Sequence, residues 1–129
     1  MSKKMNSLNQ KGFTLIELIS VMIIMGVVAS VSIQKFDIMS DNASEQALRL
    51  AVKELNIRES LTWSQIKISA DGYTTDEDLY LLVDKNLGGK YFWNPGPDRN
   101  AGGTLHFNSK SLALNRQEST LSAAGRWQP

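Results

Sequence analysis

The pattern of apolar and polar positions divides the chain into three regimes. From Phe13 to Ile33 the residues are apolar or small, and the only ionisable one is Glu17. At about 1.5 Å of rise per residue, a helix over that stretch is roughly 31 Å long, which matches a bilayer's hydrocarbon core. From Asp37 to about Glu59 the pattern becomes amphipathic. Leu48, Ala51, Val52 and Leu55 recur at helical spacing, while Glu45, Arg49, Lys53, Glu54 and Arg58 largely take other faces. No glycine intervenes between Gly26 and Gly72, so the pattern predicts one long helix with two environments.

The third regime is shorter in its periods. Trp63 to Ser69 contains Ile66 and Ile68 in alternation and predicts a strand, with continuation of the helix as the alternative. Thr74-Thr75-Asp76-Glu77-Asp78 has the hydroxyl caps and first-turn acids of a helix start, and Gly88-Gly89 its stop. Tyr91-Phe92-Trp93 leads into Asn94-Pro95-Gly96-Pro97-Asp98, a loop. Thr104–Phe107 and Leu112–Leu114 flank Asn108-Ser109-Lys110-Ser111 as a hairpin, and Ser119–Ser122 adds a short edge strand. The expected fold class is α+β: a long N-terminal helix, membrane-spanning in its first half and amphipathic in its second, packed on a small antiparallel sheet.

Charge gives the first regime an orientation. Lys3, Lys4 and Lys11 precede the apolar run with no acid among them, which holds the N-terminus in the cytoplasm and sends the rest across. Beyond them acids outnumber bases, so a nucleic-acid footprint is unsupported. The 129 residues suit one domain of modest core, and the chain has no cysteine for a disulfide, thiolate metal site or thiol nucleophile. A secretory signal is the alternative reading of the N-terminus, but its apolar region is about 7 to 15 residues long, and this one is longer. Neither a signal nor a plain anchor explains Glu17, because an acid in an apolar helix costs free energy without return. A cut between Gly12 and Phe13 would supply a reason. It exposes an α-amino group on Phe13, four residues before Glu17 and on the same helical face, where it can pair within the chain or with a neighbour's carboxylate.

Gly12-Phe13-Thr14-Leu15-Ile16-Glu17-Leu18, behind its basic leader and ahead of its apolar run, resembles the processing motif of type IV pilin-like proteins, a family that includes pilins and the pseudopilins of type II secretion. The resemblance implies that a prepilin peptidase removes residues 1–12, cutting after Gly12, and N-methylates Phe13. It implies that Phe13 and Glu17 guide assembly, and that residues 13–36 cross the bacterial inner membrane once and then form a filament core. Residues 37–129 are the expected periplasmic or surface-exposed domain. The implied partners are the peptidase, other pilin or pseudopilin subunits, an inner-membrane assembly platform and, before assembly, membrane lipid. Many major pilins carry a proline where this chain has Gln34, which favours a minor component of a type IV pilus or type II secretion pseudopilus. The competing function is a membrane-anchored or secreted periplasmic binding or enzymatic domain, which gives Glu17 no role.

Other chemistry is sparse. Asp71, Asp76, Glu77 and Asp78 match no EF-hand spacing and read as helix-capping residues, so no metal site is expected. His106, the only histidine, reads as a solvent-facing strand residue. Trp63, Trp93, Trp127, Tyr91 and Phe92 read as closing a small core. Ser119, Thr120 and Ser122 lack a nucleophile-elbow setting, Gly102-Gly103 forms no phosphate loop, and neither an enzyme nor a cofactor is expected.

Overall fold

The computed structural model describes Gly12 and residues 14–129. Helix α1 spans Leu15–Ile68 and α2 spans Asp76–Leu82; the strands are β1 (Tyr91–Trp93), β2 (Gly103–Phe107), β3 (Lys110–Gln117) and β4 (Arg126–Gln128). The fold is α+β, with the long helix and small antiparallel sheet that the patterning predicts. The chain divides into one unit ending at Ile38 and a second, Met39–Pro129. In the first, every residue from Leu15 to Val31 is exposed. Two hydroxyls inside this apolar helix bond back to the preceding turn, Ser20 Oγ to Ile16 O at 2.7 Å and Ser32 Oγ to Val28 O at 2.8 Å, which spares them an unpaired donor in hydrocarbon.

In the second unit, α1 buries Ser44, Leu48, Ala51, Val52, Leu55 and Glu59, one stripe at i, i+3/i+4 spacing. The stripe meets Leu105, Leu114 and Trp127 from the sheet, and Tyr91, Trp93, Phe107 and Leu112 pack around them. The sheet order is β1-β2-β3-β4, an antiparallel meander. Alternation sets its faces: Tyr91 and Trp93 point into the core, while Phe92 stacks on His106 on the other side, ring centroids 4.7 Å apart. His106 is half-buried there, and its Nε2 lies 2.9 Å from Asn94 O, so it is less open than strand alternation predicts.

Three local expectations are corrected. Trp63 to Ile68 continues α1 rather than forming a strand, because Thr62, Trp63 and Ile66 prolong the half-buried face beyond Glu59 and leave Ile68 86% exposed. Helix α2 ends at Leu82, well before the glycine pair. Val83 turns into the core in extended conformation, and Lys85 Nζ donates to the carbonyls of Tyr80 and Val83 at 2.6 and 2.8 Å, closing the helix end. Tyr91–Trp93, which the patterning leaves unassigned, is strand β1. The edge strand is Arg126–Gln128 instead of Ser119–Ser122, which is irregular because Ser119 turns inward.

Candidate functional site

The residues singled out by sequence lie at the start of α1. Gly12 is exposed; Phe13 and the leader lysines Lys3, Lys4 and Lys11 lie outside the described residues. Thr14 and Glu17 bond reciprocally: Thr14 N–H donates to Glu17 Oε2 at 3.3 Å, and Glu17 N–H donates to Thr14 Oγ1 at 3.2 Å. This is a capping box, which satisfies two backbone donors that the first helical turn leaves without partners. Thr14 was not among the expected site residues, although the Thr-x-x-Glu spacing before an apolar run is its signature. Glu17 therefore has a local task, and its carboxylate sits where the helix dipole favours negative charge. Helix α1 is long and apolar enough near its N-terminus to cross a membrane.

A second constellation, inside the Met39–Pro129 unit, was not anticipated. Arg116 on β3 lies fully buried between Glu59 of α1 and Asp76 of α2. Its Nε and Nη2 donate to the two Glu59 oxygens at 2.8 and 3.1 Å, and its Nη1 and Nη2 donate to the two Asp76 oxygens at 2.8 and 3.0 Å. Trp127 Nε1 donates to Glu59 Oε1 at 3.0 Å, and the Ser119 N–H and hydroxyl donate to Asp76 Oδ1 at 2.7 and 2.6 Å. Burial alone would raise the Asp76 carboxyl, but hydrogen bonds from Arg116 and Ser119 outweigh it and lower its pKa to about 2. Gly125 closes this cluster: a Cβ there would sit 2.7 Å from both Arg116 Nη2 and Glu59 Oε2.

The bidentate geometry on both sides uses the guanidinium as a planar clamp, so that helix, short helix and sheet are pinned at one point. Its chemistry is structural, since each carboxylate oxygen already accepts from a neighbour. The acidic run splits accordingly: Asp76 belongs to this cluster, whereas Asp78 caps α2, where Thr75 Oγ1 accepts from Asp78 N–H at 3.3 Å and the Asp78 carboxylate accepts from Thr74 at 2.6 Å. Among the described residues, no group of three His, Asp or Glu side chains is placed to hold a metal ion. The aromatics divide too. Trp93 and Trp127 meet in the core at 5.2 Å between centroids, while Phe92 stays 52% exposed and Trp63 is half-buried, its Nε1 donating to Thr120 O.

Residues 7–33 match the family model of the prokaryotic N-terminal methylation motif, the processing motif of type IV pilin-like proteins. The chain is thus pilin-like at its N-terminus, in the segment holding Gly12, Phe13, Thr14 and Glu17. Comparisons with curated proteins and with solved structures return no match.

Proposed function

We propose that this protein is a structural subunit of a type IV pilus or a type II secretion pseudopilus, cut after Gly12 by a prepilin peptidase, N-methylated on Phe13 and assembled through its N-terminal helix. The observation that carries this reading is the methylation motif at residues 7–33, running into an exposed apolar helix that carries one carboxylate. Before assembly the helix spans the inner membrane, with Lys3, Lys4 and Lys11 on the cytoplasmic side and the Met39–Pro129 unit in the periplasm. The protein acts by assembly and not by catalysis. Its partners are the peptidase, the membrane assembly platform and other subunits. Helix α1 passes through Gln34 without interruption, which supports a minor component, since the proline of many major pilins would break the hydrogen-bond ladder there.

Coexpression with a prepilin peptidase tests this directly. Intact mass should correspond to a chain starting at Phe13 and carrying one methyl group. An N-terminus near Ser30 would instead identify an ordinary secretory signal and end the pilin reading.

A further inference from the structure

Among the described residues other than glycine, Asn108 alone has a positive φ, 52°. It stands in the turn between β2 and β3. Phe107 pairs with Lys110, so this connection has two residues, and φ is positive at the first of them but not at Ser109. That combination defines a type II′ turn, which holds ψ of its first central residue near −120°. Glycine usually takes this position, and asparagine can because its short polar side chain tolerates left-handed backbone.

At that ψ the Asn108 Cβ, Cα and carbonyl carbon lie nearly in one plane with the Ser109 nitrogen, the arrangement of a five-membered ring closed between that nitrogen and the Asn108 Cγ. The nitrogen is also free: among the described residues the Ser109 N–H has no acceptor. Both residues are exposed, so water reaches them, and the Asn108 amide is tied only by a long bond, 3.3 Å to Ser44 Oγ. The other described asparagines lack this combination. Asn42 and Asn56 are helical and Asn115 is in β3. Asn94 precedes a proline, which has no N–H; the N–H after Asn100 donates to Asp98 Oδ1 at 2.8 Å; and the Asn86 side chain accepts from Gly88 N–H at 2.8 Å.

We propose that Asn108 is a site of self-modification, where the fold promotes loss of the side-chain amide through a cyclic imide. The Ser109 nitrogen attacks Cγ, its proton passes to the side-chain nitrogen, and ammonia leaves. Water then opens the ring at either carbonyl, giving aspartate or isoaspartate. One water is consumed and one ammonia released, so the step needs no further reactant. The isoaspartate routes the backbone through Cβ and Cγ and adds an atom to a turn whose length sets the register of the hairpin. Either product places a new carboxylate in a turn that Ser109 Oγ ties to Asp41 Oδ1 at 3.4 Å, so the turn and α1 then repel. The hold of the hairpin on α1 thus loosens as the molecule ages. The inference is independent of the N-terminal motif.

The test incubates the full-length protein in detergent micelles at mildly alkaline pH in oxygen-18 water, beside the same protein unfolded in urea, and reads each asparagine by mass spectrometry after digestion in acid. Asn108 should take up heavy oxygen at least about fivefold faster in the folded protein than in the unfolded one, with both aspartate and isoaspartate formed. Hydroxylamine should trap the imide and cut the chain between Asn108 and Ser109. In the isoaspartate fraction, separated by ion exchange, the Lys110 amide should exchange at least about fivefold faster, whereas Asn108→Asp, which brings the charge without the extra backbone atom, should keep it protected. A folded rate equal to or below the unfolded one, earlier loss at Asn86 or Asn100, or aspartate formed without isoaspartate would each overturn the proposal.

Discussion

Removing the Arg116 guanidinium leaves Glu59 and Asp76 facing each other in a dry interior with nothing to offset either charge. Arg116→Met should therefore destabilise the Met39–Pro129 unit by about 3 to 5 kcal/mol, read from urea unfolding. Asp76 also gives the fold a pH dependence. Its carboxyl is held at about 2 against an ordinary 3.8, so its contribution, about 2 kcal/mol, is complete above pH 5 and is lost as pH falls through 4 toward 2. Asp76→Asn should lower stability at pH 7 and flatten the slope in that window. At the N-terminus, two substitutions separate Glu17's tasks. Glu17→Leu loses charge and cap, whereas Glu17→Gln keeps a side chain able to complete the capping box and removes only the charge. Both proteins should insert and be cut, yet both should enter sheared filaments poorly beside wild type. Normal incorporation of Glu17→Gln in quantitative blots would mean that the cap, and not the charge, matters. The motif residues were legible because their spacing is local. Glu59 and Arg116 were not, although each continues an apolar pattern: Glu59 lies four residues past Leu55, and Arg116 two past Leu114. Periodicity shows that a charge faces inward; it cannot show the counter-charge, here 57 residues away in sequence.

Elements were legible where one interaction dominates and misread where two compete. The amphipathic part of α1 and the β2–β3 hairpin follow directly from period and turn chemistry. Tyr91–Trp93 carries no strand signal of its own because three residues are too few for alternation to register, and only pairing with residues 105–107 makes them a strand. Likewise β4 owes its place to Trp127, whose burial and Asn56 bonds fix a segment with weak strand pattern. Asn56→Ala should consequently cost about 2 kcal/mol, two hydrogen bonds at roughly 1 kcal/mol each. Its mark should be local, faster amide exchange at Trp127 with α2 unaffected. Thr75→Ala should do the reverse, fraying α2 for about 1 kcal/mol while Trp127 stays protected.

At the scale of the whole molecule, a chain starting at Asp37 retains every side chain of the core, the first of which is Leu48. It should be soluble and unfold in one cooperative transition by circular dichroism, and aggregation without such a transition would show that the apolar segment is needed for folding. Gly125 and Trp127 add a constraint on timing. Trp127 is among the largest fully buried side chains, and it belongs to the last strand in chain order. A chain synthesised from its N-terminus thus presents Leu55, Leu105 and the Glu59–Arg116 pair without a lid until Trp127 arrives. Folding of the Met39–Pro129 unit cannot be completed piecemeal along the way; it closes once Trp127 is in place. Chains stopped at Gln117 or Ala124 should be cut by protease about as readily as unfolded protein, and resistance should appear in a single step when Trp127 is included.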